Sequence, residues 1–335
     1  MKKKLLIKFV DFWTNWNTTD DNHFYDLLSE KYIVELSEDP DIIFYSNFGK
    51  EHLKYKCTRI FFSTENVRPD FSICDFAICF DHSKNENLLR FPLWASYYIT
   101  YEKKRLTKIY TTIDPESRFE EWSNRKKFCC LIVSNGAASE RIDFYKMLDS
   151  KIKVDSAGRW NNTIGTELLA GTENKFEFIK DYRFVIAFEN SSYSGYTTEK
   201  ILEPLLAGCI PIYWGDPEVS KDFNPARFIT VKNREDFEEV INRIAGIEKN
   251  KSLAKAYLNE KIFANDHLPE YLDKDYISKT LFSWVDKARE KKFKGVGAKL
   301  NSRLKYYKTV ASSILYKFKN KLSLFKVNNK NLFAF

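Results

Sequence analysis

The sequence predicts an α/β protein of two doubly wound units followed by a basic amphipathic tail. Three observations carry this reading. The chain has 335 residues, enough for two domains of ordinary size. Short apolar runs alternate with amphipathic stretches, which marks a sheet covered by helices rather than a helical bundle. That alternation fades at Tyr97 and restarts at Lys126, so the expected units are 1–125 and 126–286, with the tail at 287–335.

The first unit opens on the strand KLLIKFV. Three lysines precede it, but Lys8 and Asp11 interrupt the apolar run short of the roughly 7–15 residues of a secretory leader. DDNHFYDLLSEK follows as a helix, then YIVEL, DIIFYS, RIFFS and FAICFD as strands. From Tyr97 to Arg125 aromatic and charged residues lack a clear period, and this stretch reads as the connection between units.

In the second unit KKFCCLIVSN is a buried strand, SERIDFYKML a helix, KVDSAG a strand and turn, ENKFEFIKDY a helix and RFVIAFEN a strand. TTEKILEPLLAG then reads as a helix, IPIYWG and RFITV as strands, and helical patterns continue to Trp284. Doubly wound sheets bind ligands at the carboxyl ends of their strands, so the polar strand ends SN and EN point at a site.

Composition narrows the classes. With 44% hydrophobic and 30% charged residues the chain is expected to be globular rather than disordered. Its six cysteines lie mostly in apolar runs, without a histidine pair at zinc spacing, and read as reduced core thiols of a cytoplasmic protein. The net charge of +8 belongs to the tail: residues 287–335 hold 14 Lys/Arg against one acidic residue, leaving −5 for the rest. Leu304, Tyr307, Ala311, Ile314, Phe318 and Leu322 recur at helical steps between the tail lysines, giving one apolar and one cationic face. The leading expectation is a helix lying on a membrane surface, with docking against the body as the alternative. Nucleic acid is not expected, because the body does not continue the basic footprint.

Lys200 stands in the first turn of the helix in GYTTEKILEPLLAG, where the backbone dipole disfavours a cation by about 0.3–1 kcal/mol unless an anion sits beside it. Thr197 or Thr198 can cap this helix, whose free N–H groups form an anion site. A capping box to Glu199 would need Ser or Thr at 196, which is Tyr196, so Glu199 is free either to bind a pair of ribose hydroxyls or simply to favour the dipole. Arg141 repeats the pattern in the first turn after strand KKFCCLIVSN, and a shared diphosphate would satisfy both cations, a surface salt bridge being the plainer reading. Arg159, in SAGRWNN, is a third candidate for phosphate or base contact. Neither G-x-x-x-x-G-K nor G-x-G-x-x-G occurs, so neither ATP hydrolysis nor a dinucleotide fingerprint is supported.

The run FENSSYSGYTTEKILEPLLAGCIPIYWGDPEV, with KDFNP after it, closely resembles the donor-binding signature of the bacterial α1,3-fucosyltransferases. FFSTENVRPDFSICDFAICFD and RFPLW resemble the acceptor-side motif of the same family, and SNGAASERIDFY joins them. The resemblance covers roughly residues 3 to 285, with Pro204 and Cys209 as departures inside the signature.

This resemblance implies a GT-B glycosyltransferase architecture: two Rossmann-like domains facing across a cleft, the acceptor on the first and GDP-fucose on the second. It implies inverting transfer of L-fucose to a hydroxyl, O3 of GlcNAc in an N-acetyllactosamine-like acceptor, on a cell-surface glycan or lipopolysaccharide. The expected site follows from the matching positions. Glu65 in STEN is the general base, Arg141 and Lys200 are the diphosphate cations, and Asn190, Tyr196 and Glu199 are further nucleotide-sugar contacts, with Glu199 on the ribose. No obligatory metal or other cofactor is expected, since the two cations stand where a metal would, and a divalent ion is at most stimulatory. The aspartates of DPD (39–41) and DKD (273–275) are read as exposed connections. The expected location is cytoplasmic, peripheral on the inner face of the cytoplasmic membrane. The alternatives are a transferase using another GDP-sugar and a non-catalytic membrane-bound glycan-binding protein.

Overall fold

The structure is a computed structural model and describes residues 2–290 except 15, 21, 100–113, 166, 167, 169 and 170. The tail beyond Glu290, where the amphipathic helix is expected, lies outside the described residues. Among the described residues no helix is long and apolar enough to cross a membrane.

Two sheets form, as the alternation predicts. The first comprises β1 (Lys3–Val10), β2 (Tyr32–Leu36), β3 (Ile42–Tyr45), β4 (Thr58–Phe62), β5 (Phe76–Cys79) and β6 (Leu88–Arg90), in the order β2-β1-β3-β4-β5-β6. β1 pairs in parallel with β2 and β3, placing Ile7 opposite Leu36 and Ile42. Helix α1 (His23–Lys31) starts where the Asn22 side chain accepts from Tyr25 N–H, and its Phe24 stacks on Phe44 of the sheet.

The second sheet comprises β7 (Lys127–Ile132), β8 (Asp155–Ala157), β9 (Tyr182–Phe188), β10 (Ile210–Trp214) and β11 (Ile229–Thr230), in the order β11-β10-β9-β7-β8. Its neighbouring strands pair in parallel. The chain goes from β7 outward to β8, then returns to lay β9 on the other side of β7. The strand order therefore reverses between β7 and β9, and this is the switch point at which doubly wound sheets bind ligands.

The remaining helices are α2 (Leu93–Tyr97), α3 (Pro115–Ser123), α4 (Ser139–Lys151), α5 (Thr172–Ile179), α6 (Glu199–Leu206), α7 (Phe237–Lys249), α8 (Lys251–Asn259) and α9 (Lys274–Glu290). α3 falls in the stretch read from sequence as a connection. Asp114 caps it, accepting from Glu116 and Ser117 N–H with Pro115 behind, and its Phe119 and Trp122 are buried in the core formed by β7, β9 and β10. Trp122 Nε1 donates to Arg183 O at 2.9 Å. The D-P-E start was a legible helix signal. All six cysteines are free thiols, five of them buried.

The chain divides into two compact units. One contains residues up to Phe62, Pro69–Ala77 and the end of α9 from Leu281; the other contains Ser63–Arg68 and Ile78–Thr280. The Glu65 loop thus belongs to the same unit as the second sheet.

Candidate active site

Within that second unit, the site begins where β9 ends. Its last residue, Phe188, is fully buried, and Glu189 beyond it is fully buried too. Glu189 caps the coming helix from the side: Thr198 N–H donates to Oε1 and Thr198 Oγ to Oε2, both at 2.7 Å. Thr198, rather than Thr197, is the N-cap of α6, and its hydroxyl accepts from Lys200 N–H. Thr197 serves a second buried carboxylate, donating to Asp216 Oδ2 at 2.8 Å, while Gly195 N–H donates to Asp216 Oδ1 at 2.8 Å. Two carboxylates, one beyond β9 and one beyond β10, therefore pin the loop 189–198.

Two glycines make room for this arrangement. At Gly215 a Cβ would stand 2.4 Å from Glu189 Cγ. At Gly195, where φ is +82°, it would stand 2.5 Å from the Phe80 carbonyl oxygen. Gly195→Ala is expected to destabilise the protein by about 2–4 kcal/mol, from left-handed backbone strain plus overpacking. Thermal unfolding checks this, and an unchanged melting temperature would refute the close approach.

The cation at the helix start already has its anions. Lys200 Nζ lies 3.4 Å from Glu189 Oε2, 3.5 Å from Glu199 Oε1 and 3.0 Å from Thr198 Oγ. Lys175 of α5 lies 3.6 Å from Glu199 and is ion-paired with Glu203. The result is a chain of alternating charge: Glu189, Lys200, Glu199, Lys175, Glu203. Burial works against the charges of Glu189, Lys200, Glu199 and Lys175, and the neighbours decide the outcome. Burial raises the Glu189 carboxyl pKa, with Lys200 opposing only in part. For Glu199, burial is outweighed by Lys200 and Lys175, which hold its pKa at about 2. For Lys200, burial is outweighed by Glu199 and Glu189, and its pKa is raised.

Arg141, in the first turn of α4, joins the two strand ends at the switch point. Its guanidinium donates to Phe188 O at 3.3 Å and Asn190 Oδ1 at 3.0 Å beyond β9, and to Asn135 O at 2.8 Å beyond β7. It is 3% exposed, and its Nε is buried with no hydrogen-bond partner among the described residues. Arg141 and Lys200 line one small void of about 20 Å³ together with Lys175 and Glu203. A larger cavity of about 620 Å³ shares Ile132, Lys175 and Glu203 with it, and Ser134, Arg159, Asn162 and Thr172 are also on its wall.

The other expected site residues divide. Asn190 is exposed beside Arg141 as its acceptor. Arg159 is exposed on the rim of the larger cavity. Tyr196 turns inward, 2% exposed and edge-on to Phe80 at 5.3 Å, and lines neither cavity. Glu65 is exposed and lines neither cavity, but its loop is tied to the loop 189–198. Asn66 Nδ2 donates to Ser191 Oγ at 2.8 Å, and the Arg68 guanidinium lies 4.5 Å from the Tyr193 ring centroid. Sequence reasoning missed Glu189, Asp216, Lys175 and Glu203. The first two follow strand ends, which was their one signal; the other two carry none in the spacing. Among the described residues no three His, Cys, Asp or Glu side chains gather as metal ligands.

Two parallel α/β sheets, one with cations converging at its switch point, define a GT-B-type glycosyltransferase fold. The comparisons are specific within that class. The description "Alpha-(1,3)-fucosyltransferase FucT N-terminal domain" matches residues 7–97, and "Glycosyltransferase family 10 (fucosyltransferase) C-term" matches residues 122–295. The chain belongs to glycosyltransferase family 10, the fucosyltransferases. It is 32% identical over 266 residues to alpha-(1,3)-fucosyltransferase FucT of Helicobacter pylori, covering 70% of this chain and 54% of that protein. It is 29% identical over 191 residues to alpha-(1,3)-fucosyltransferase B of Drosophila melanogaster, covering 51% and 40%. The chain thus spans about half or less of these curated relatives. A crystal structure of alpha1,3-fucosyltransferase with GDP-fucose superposes with a TM-score of 0.67 at 26% identity, over 85% of this chain and 91% of that one. The GDP complex gives a TM-score of 0.66 with the same coverage.

Proposed function

We propose that the protein is an inverting α1,3-fucosyltransferase that moves L-fucose from GDP-β-L-fucose to O3 of GlcNAc in an N-acetyllactosamine-like glycan. The observation that carries this reading is the convergence of Arg141 and Lys200 at the switch point, beside a cavity of about 620 Å³ and inside the region that matches the family. The GDP-fucose complex of the similar crystal structure supports the choice of donor.

In the proposed reaction the acceptor hydroxyl oxygen attacks the anomeric carbon, the bond from that carbon to the β-phosphate oxygen breaks, and the hydroxyl proton passes to Glu65. GDP leaves carrying the bonding electrons. Its charge grows as the bond lengthens, so fixed cations stabilise the transition state more than the ground state. In this reading Lys200 and Arg141 supply that charge, Glu199 receives the ribose hydroxyls, and Asn190 and Arg159 make further donor contacts. The buried Nε of Arg141 is a donor still to be satisfied.

The test mixes the protein with GDP-fucose and a panel of β-galactosyl-N-acetylglucosamine acceptors, with product linkage read by NMR. An α1,3-linked fucose is expected, and full turnover is expected to survive EDTA. Absence of GDP release would sink the enzymatic reading and favour a glycan-binding protein. Transfer from a different GDP-sugar alone would sink the donor assignment. Turnover abolished by EDTA and restored by Mn²⁺ would refute metal independence.

A further inference from the structure

We propose that Lys175 is a positioning residue for the donor: its ammonium, held between Glu203 and Glu199, fixes the carboxylate that takes the ribose hydroxyls. The inference rests on the donor reading above and adds a residue to it.

Glu199 and Glu203 are one helical turn apart on α6, on the same face, and two carboxylates so placed repel each other. Glu203 is 1% exposed and Glu199 is 13% exposed at its side chain, so solvent screens neither well. A cation brought in from another element must neutralise them. Lys175 does this from α5, the helix that follows the Gly171 turn on the wall of the larger cavity. Its ammonium reaches Glu199 Oε1 at 3.6 Å while paired with Glu203.

Lys200 approaches the same oxygen, Glu199 Oε1, at 3.5 Å. Two cations carried by different helices thus share one carboxylate oxygen and hold it at one place. If Lys175 is removed, the repulsion from Glu203 is unopposed, so Glu199 leaves the position at which it takes the ribose hydroxyls. Lys175 and Glu203 also line both the small void and the larger cavity, which puts this pair at the seam between the diphosphate cations and the space beside them. Lys175 acts through Glu199 rather than on phosphate or sugar.

The experiment compares GDP with 2′,3′-dideoxy-GDP by calorimetry on the full chain. In the native protein GDP is expected to bind more tightly than the dideoxy nucleotide. Lys175→Met is expected to weaken GDP by about 10- to 100-fold, the value of a charge-assisted hydrogen bond, while leaving the dideoxy nucleotide unchanged. Lys175→Arg is expected to restore most of the difference. A purely structural lysine would weaken both nucleotides alike, and that outcome overturns the inference. Lys175→Gln, which keeps a hydrogen-bond donor for Glu203, serves if the methionine variant fails to fold, and the same loss of discrimination is expected of it. Glu199→Gln is the control for the underlying reading. If it abolishes discrimination while the Lys175 variants retain it, only the positioning role fails; if it leaves discrimination intact, the ribose assignment fails and the role of Lys175 with it.

Discussion

Glu65→Gln is expected to lower the transfer rate by roughly 10²–10⁴-fold, the range of a lost general base, while GDP affinity stays at its native value. The substitution keeps the shape of the side chain and removes only its capacity to accept a proton. The local structure favours a clean result. Glu65 is exposed, and its carboxylate makes no hydrogen bond or ion pair among the described residues, so no fold contact is lost with its charge. Its backbone is held independently: Ser63 Oγ accepts from Glu65 N–H at 3.2 Å, and Asn66 is bonded to Ser191. Steady-state kinetics with calorimetry read the two quantities separately. Near-native turnover would reject Glu65 as the base, and a loss of GDP affinity of the same size as the rate loss would make it a binding residue instead.

The second large effect concerns the cations. Lys200→Ala and Arg141→Ala are each expected to weaken GDP by about 10- to 100-fold, since each removes a charge-assisted contact from a poorly solvated site. The two variants should differ in stability for a reason visible in the structure. Lys200 is the nearest cation to Glu189, which is fully buried and whose pKa burial already raises. Without Lys200 that carboxylate loses its ion pair, at a cost of about 3–5 kcal/mol. Adding Glu189→Gln to Lys200→Ala is expected to recover most of the stability, because the amide still bonds Thr198, but none of the GDP affinity. Recovery of both would mean that Lys200 serves the fold alone. Unchanged GDP affinity in both single variants would remove the diphosphate site altogether.

Much of this site was legible because its parts are local. Lys200 and Arg141 stood out as bases in first turns, where the dipole disfavours them, and both line one void. An anion does attend Lys200, and the chain itself supplies it. Glu189 and Glu199 do so before any ligand arrives. Arg141 likewise has carbonyl partners at both strand ends, so these cations are organised in advance rather than waiting unpaired. The buried role of Glu189 was not legible, because FEN after a strand does not tell which polar residue turns inward. α3 was overlooked although Asp114 and Pro115 announced it, because a short helix with two apolar anchors has too little periodicity to stand out beside the charged residues around it.

By itself the sequence determined the two-sheet α/β class, the strand and helix that carry the site, and a threonine cap at 197 or 198. Each depends on neighbours within one or two turns of chain, where period and residue type act directly. Tertiary structure alone decided that Arg141 spans the ends of β7 and β9, that Lys175 answers carboxylates 24 and 28 positions further along the chain, and that Glu189 is buried. Those are Coulombic and hydrogen-bonding choices made between elements, and their strength depends on burial and distance, which exist only once the sheet has set its strand order.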